Sequence, residues 1–433
     1  MNICSTRRMI SRMLTQLRLP LPLAAVLLGL PMAAQQHPSI ATPESAGFSS
    51  RGMQKIHEVV QQHIDKGDMP GAVVLVARKG RVAYWDAQGF LDAKTQTPLA
   101  KDTIFWVASM TKPVVTTSIL MMMEAGKLSV DDPVSKFIPE FKAPAQVRVL
   151  KAGSPPPPAQ GRPDPNAPKP QYDLVPASRG ITINDILTHT SGLQSIGVPN
   201  DPIPAIGPDD TLATWVPKLA AVPLDFQPGS KWAYSNATAF EVLARIVEIT
   251  SGQSFRDFVD KRIFTPLGIR DSSFGPRKDL ASRTMTLGPQ ISTNPCVMGP
   301  IFFCASAGLW FPADDYWRFA EMLLNKGRGN GKRLLKASSV EQMGTNHAGS
   351  LFAGFGGIPA TGMGFGYSVE VVQDHASAGL ELPNGTFGWN GVGTRQFWII
   401  PEKDMVIVMY LPSGNAAPVH RDIEAAALHA LLK

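Results

Sequence analysis

Several features that would settle a protein's class early are missing from this sequence. Cysteine is nearly absent: Cys4, Cys296 and Cys304 are the only three in 433 residues. No His-x-x-x-His pair and no Cys/His cluster offers the spacing that holds a structural or catalytic metal. No run of lysine and arginine appears either. The formal net charge is +6, but Arg7, Arg8, Arg12 and Arg18 carry four of those charges, leaving +2 from residue 35 onward. A chain so close to neutral has no electrostatic footprint for nucleic acid. The longest early apolar run, Leu19 to Leu30, is interrupted by Pro20 and Pro22 and is too short to span a bilayer. These absences exclude metal, nucleic-acid and membrane-spanning readings.

What is present begins with a leader. Four arginines without an acid, an apolar run and then Ala33-Ala34 predict a signal peptide over residues 1–34, cleaved near Ala34-Gln35. The pair Arg7-Arg8 hints at twin-arginine export, although it lies far from the apolar run. Cys4 precedes that run and so is no lipoprotein cysteine. The expected product is a periplasmic or secreted protein. Hydrophobic residues make up 44% of the chain, enough to bury a large core as one domain or two intimate ones.

The periodicities then alternate. Phe48-Ser-Ser50 opens a helix with Met53, Ile56, Val59, Val60 and Ile64 on one face and Gly67 as its stop. Ala72–Ala77 and Val82–Trp85 read as strands joined by a Lys79-Gly80 turn. Residues 143–179 differ in kind: Ser154-Pro-Pro-Pro-Pro158 and Pro163–Pro170 predict an extended loop, a linker or a lid. A helix from Ala237 to Ser251 shows Phe240, Leu243, Ile246 and Val247 inside and Glu241, Arg245 and Glu248 outside. Another starts at Asp314. Strands follow at Gly366–Val372, Thr394–Ile400 and Met405–Leu411, then a last helix from Val419 to Leu432. Strands at both ends with helices between predict an α+β fold whose sheet is built from both termini.

Two stretches carry chemistry. Ser109 stands three residues before Lys112 where an apolar helix begins, so hydroxyl and ammonium share one helix face. Pro113 suits the first turn and Gly126 the stop. A serine there gains from the positive helix end, and the amine can lower its pKa or relay its proton. Ser-x-x-Lys occurs once in the chain; its plain alternative is a capping serine beside a solvated lysine. Tyr234 and Asn236, two apart in an extended segment, point the same way. Their plain alternative is a buried tyrosine and an N-capping asparagine. His189, without a metal-binding partner nearby in sequence, reads as a histidine hydrogen-bonded at a helix end.

Taken in order, Ser109-x-x-Lys112, Tyr234-Ser-Asn236 and Gly388-Trp-Asn-Gly391 resemble the motifs of the serine β-lactamase-like proteins: class C β-lactamases, D,D-peptidases and family VIII carboxylesterases. Leu187–Leu193, Pro228-Gly-Ser230, Pro266–Ile269 and Asp131-Asp-Pro133 match the same group, and the resemblance spans about residues 44 to 432. It implies a β-lactamase/transpeptidase-like fold, an antiparallel sheet flanked by helices plus an all-helical subdomain, with the site in the cleft between. The sheet part would take about 40–105 and 295–433 of a single catalytic domain (40–433), and the helical part about 106–294. It also implies Ser109 as the acyl-accepting nucleophile, Lys112 as its activator, Tyr234 as the base that later protonates the leaving group, Asn236 as the orienter of Lys112 and of the substrate's acyl side, and no metal or organic cofactor. The backbone N–H groups of Ser109 and of Val392, the latter on the strand, would form the oxyanion hole.

One motif departs from the β-lactamase pattern. Where those enzymes carry Lys-Thr-Gly, a cation facing the substrate carboxylate, this chain has Trp389-Asn390-Gly391. An indole offers area and one donor but no charge. The resemblance therefore leans to the esterase branch, with Arg395 as the residue able to restore the charge. Cys304-Ala-Ser-Ala-Gly308 lacks the leading glycine and the strand-to-helix setting of a nucleophile elbow, which argues against Ser306 as nucleophile. In an exported chain Cys296 and Cys304 are expected to form a disulfide. The expected activity is hydrolysis of a small-molecule ester or amide through an acyl-enzyme. β-Lactamase or D-Ala-D-Ala carboxypeptidase activity, or a non-catalytic sensor, are the alternatives.

Overall fold

Lys79 and Gly80 take φ of 53° and 72°, the two left-handed residues that a tight hairpin turn needs. They join strand Gly71–Arg78 to strand Arg81–Asp92, as the sequence predicts. The computed structural model describes residues 37–432 apart from 93, 143, 156–167, 169, 196–202, 300 and 393. The signal peptide expected over residues 1–34 lies outside the described residues. Among those described, no helix is long and apolar enough to cross a membrane.

The hairpin supplies two strands of an eight-stranded antiparallel sheet. Its order runs Met363–Phe365, Glu370–Val372, Phe387–Gly391, Arg395–Ile400, Met405–Tyr410, Gly71–Arg78, Arg81–Asp92 and Thr97–Pro98. The two ends of the chain meet at its centre, where Val73 pairs with Tyr410 and Arg78 with Met405. Both central strands are buried almost throughout, because helices cover both faces of the sheet. Such strands need apolar residues at both parities. Helices Ser50–Asp65 and Ala416–His429 pack together on one face, where Trp398 donates to Glu424 at 2.6 Å. Helix Ala313–Leu324 covers the other, with the Tyr316 ring 4.9 Å from that of Phe397.

Three departures from the sequence reading have identifiable causes. The strand expected over 366–372 is two strands, Met363–Phe365 and Glu370–Val372, folded back on each other. Ser368 reverses the chain at φ 62°, held by the Leu187 carbonyl at 2.9 Å and the Thr116 hydroxyl at 2.7 Å. These are tertiary bonds that no local pattern announces. Part of the stretch expected as extended loop, 143–179, is a two-stranded ribbon of Gln146–Leu150 and Tyr172–Pro176. The polyproline tract between, over 156–167, lies outside the described residues. Finally, the helix expected from Ala237 begins at Ala239 with Thr238 as its N-cap, so Asn236 is no capping residue.

Candidate active site

Phe105–Trp106 pairs with Leu309–Phe311, which fixes the direction from which the chain enters the site. Ala108 then turns through φ 45° into a 3₁₀ turn, Ala108–Thr111, and this carries Ser109. The helix that follows, Lys112–Glu124, is buried from Lys112 to Met122. Its hydroxyls tolerate this because Thr117 and Ser118 donate to the carbonyls of Pro113 and Val114, both at 3.0 Å. A helix buried on every side cannot slide or rotate without loss of packing, so Ser109 rests on a fixed base.

Lys112 is 0% exposed. Its Nζ lies 3.2 Å from Ser109 Oγ, 3.0 Å from the Ser306 carbonyl and 3.4 Å from the Asn236 carbonyl. All three acceptors are uncharged oxygens. The Tyr234 and Phe240 rings stand 4.9 and 5.5 Å from the same nitrogen, close enough for cation–π attraction. Asn236 thus reaches Lys112 through its main chain. The Tyr234 hydroxyl is buried and has no hydrogen-bond partner among the described residues. Its ring packs against His189 (4.5 Å), Phe355 (4.6 Å) and Trp389 (5.4 Å).

His189 accepts the Ser235 N–H at Nδ1, 3.1 Å away, just past helix Ile183–Leu187, as the plain reading expected. Burial, then the nearby Lys112 charge, holds its pKa well below the usual imidazole value, so it is neutral. It serves as a wall for Tyr234.

Ser109, Tyr234, Asn236, Trp389, Asn390 and Val392 line one cavity of about 450 Å³. Gly391 explains why the sheet comes so near the turn that carries Ser109: a β-carbon there would collide with the Val107 carbonyl oxygen. Val392 was expected on the strand. It lies just past it, since the strand ends at Gly391, and takes φ 46° with 60% exposure. A β-branched residue in that region is strained, a condition that recurs at functional sites.

Arg395 requires a correction. It does not line this cavity. Side chains alternate along a strand, so Gln396 and Trp398 reach the cavity while Arg395 projects to the opposite face. There it is 5% exposed, donates to Thr394 Oγ1 at 2.6 Å, and lies with its guanidinium 5.6 Å from the Phe105 ring. Burial pushes its pKa down to about 10. The guanidinium at the cavity wall is that of Arg421, on the C-terminal helix and exposed.

Sequence reasoning missed Glu241. Helical periodicity put it outside with Arg245 and Glu248; it is 1% exposed. Its Oε1 accepts the Ser306 N–H at 3.0 Å and its Oε2 the Ser306 hydroxyl at 2.6 Å. Cys296 and Cys304 are joined as a disulfide, and Cys304 Sγ lies 3.0 Å from Glu241 Oε1. Among the described residues these three form the one cluster with metal-ligand proximity. Its two sulfurs are bonded to each other, so no thiolate is left for a metal.

Comparison with known proteins bears on fold and family. The family model described as Beta-lactamase matches residues 56–431. Protein Rv1367c of Mycobacterium tuberculosis (strain ATCC 25618 / H37Rv) is 32% identical over 372 residues, covering 81% of this chain and 87% of that one. Esterase EstB of Burkholderia gladioli is 29% identical over 399 residues, covering 85% and 91%. Among solved structures, EstCE1, described as a hydrolase with promiscuous acyltransferase activity, superposes with a TM-score of 0.69 at 25% identity. That match covers 87% of this chain and 98% of EstCE1.

Proposed function

We propose, on the premise that this chain belongs to the beta-lactamase family, that it cleaves ester bonds through a covalent acyl-enzyme on Ser109. The carrying observation is the buried Lys112 Nζ, 3.2 Å from Ser109 Oγ at the wall of a cavity large enough for a small ester. Ser109 Oγ attacks the carbonyl carbon while its proton passes to the Lys112–Tyr234 pair. The negative charge that develops on the carbonyl oxygen is met by the backbone N–H groups of Ser109 and Val392, each such donor contributing about 10²–10³ in kcat. The leaving alcohol takes the proton back, and water repeats the sequence on the acyl-enzyme. Trp389, Asn390 and Gly391 form the sheet wall against which the substrate lies, and Asn236 faces its acyl side. The catalytic domain spans 40–433, with a sheet part about 40–105 and 295–433 and a helical part about 106–294. The basic, then apolar N-terminus and the Cys296–Cys304 bridge support export to an oxidising compartment.

Neutral esters fit the wall better than carboxylates do. Trp389 replaces a cation, Arg395 faces away, and two buried carboxyl groups, Glu370 and Glu424, line the same cavity. A β-lactam or D-Ala peptide would have to shed water from its carboxylate against these groups. One observation favours that second reading: Arg421, exposed at the cavity wall, could pair with an anion. Fluorophosphonate labelling followed by peptide mapping tests the reading. The label is expected on Ser109, with fast turnover of short p-nitrophenyl esters; a label on another serine, or rapid benzylpenicillin hydrolysis with slow ester turnover, would overturn it.

A further inference from the structure

Ser306 sits in a three-residue turn, 305–307, that belongs to no helix or strand, yet its carbonyl is one of the three acceptors of Lys112. The side chain that fixes it comes from a different element. Glu241, on helix Ala239–Ser251, takes both Ser306 donors, N–H at 3.0 Å and Oγ–H at 2.6 Å, one on each carboxyl oxygen. With N–H and hydroxyl pinned on one side, the carbonyl of the same residue is held on the other, 3.0 Å from Lys112 Nζ. We infer that Glu241 is a positioning residue for catalysis: it orients the Ser306 carbonyl and through it the amine that activates Ser109. The inference rests on the role proposed above for Lys112.

The chemistry of the position supports this more than a merely structural one. A carboxyl group with 1% exposure costs folding energy unless its oxygens are bonded, and an apolar residue would fill the same helix face without that cost. Burial raises the Glu241 pKa; the two Ser306 hydrogen bonds and the Lys112 charge oppose that rise. The acid is therefore electrostatically linked to the lysine although it does not touch it. The Ser306 carbonyl holds the Lys112 nitrogen at 3.0 Å while Ser109 Oγ lies 3.2 Å from it.

Two variants test it against p-nitrophenyl butyrate, each also scored for melting temperature and for the rate of fluorophosphonate labelling at Ser109. Glu241→Gln keeps size and polarity but changes charge and donor pattern. It is expected to lower kcat and labelling rate together by tenfold or more, with KM within about twofold. Ser306→Ala keeps the carbonyl and loses only the hydroxyl bond, so its fall should be smaller and in the same sense. Val242→Ala, a buried apolar truncation on the same helix, controls for lost packing. An unchanged kcat in Glu241→Gln, a change confined to KM, or an equal fall in kcat for Val242→Ala would overturn the inference. If Glu241→Gln does not fold, Ser306→Ala decides, and an unchanged labelling rate there counts against it. Labelling reads acylation of Ser109 whatever the substrate, so this inference can fail while ester hydrolysis stands, and the reverse.

Discussion

On the helical wall of the cavity, the buried Lys112 has three hydrogen-bond acceptors; on the sheet wall, Glu370 is equally buried and neither of its oxygens has a partner among the described residues. The sheet wall also holds Glu424, which accepts from Trp398, and Trp389, whose indole N–H has no partner among the described residues. Burial followed by the proximity of Glu424 drives the Glu370 pKa well above the carboxylate range, and burial pushes Glu424 up to about 8. On the helical side Lys112 is thus fixed by three acceptors, while the Tyr234 hydroxyl beside it has no partner among the described residues. The sheet wall keeps unused polar capacity, which suits a surface that selects substrates.

The largest test of the contrast is on the helical side. Ser109→Ala should reduce ester hydrolysis to near background, a loss on the order of 10⁵–10⁶ in kcat, with the fold intact by circular dichroism. Residual turnover within tenfold of wild type would mean that the nucleophile lies elsewhere.

The next test moves to the sheet wall. Trp389→Lys should narrow the gap in kcat/KM between p-nitrophenyl esters and benzylpenicillin by roughly ten- to a hundredfold. A charge-assisted hydrogen bond is typically worth about 1.5–3 kcal/mol. Should wild type already prefer the β-lactam, Arg421 supplies the charge, and Arg421→Ala is the variant that would show it.

The test with the smallest effect on activity is a pH dependence of stability. The folded pKa of Glu424, about 8, lies above its ordinary value of 4.5. Between those values the unfolded chain releases a proton that the native state keeps, so the contribution of Glu424 to stability is lost as pH rises through that window. Glu424→Gln keeps the acceptor for Trp398 and cannot ionise. Urea titrations at pH 5 and pH 8 should show wild type losing stability relative to the variant by about 3 kcal/mol. Parallel behaviour of the two proteins would show that Glu424 is not protonated in the native state.

Much of this was legible in the chain because it is local. Ser109 and Lys112 meet by helical spacing alone. The Lys79-Gly80 turn and the amphipathic helix Ser50–Asp65 follow from conformational preference and period. The Trp at position 389 signalled altered specificity by residue type. Other features had no local signal. Arg395 is close in sequence to the motif, yet strand parity sends it to the far face. Glu241 reads as a surface residue on a helical wheel, because the wheel shows only one buried side and cannot show a turn 65 residues away that brings donors to the other.

The sequence by itself determined the Ser109–Lys112 spacing, the Lys79-Gly80 hairpin, the main helices and the family, since each depends on residues a few positions apart or on motif order. Only the tertiary structure decided which face Arg395 takes, that Val392 falls beyond the strand, that Asn236 and Ser306 converge on one ammonium from 124 and 194 residues away, and that Glu241 meets Ser306 from 65 residues away. Burial and convergence are properties of packed surfaces. They exist only after the two ends of the chain have closed the sheet between its helices.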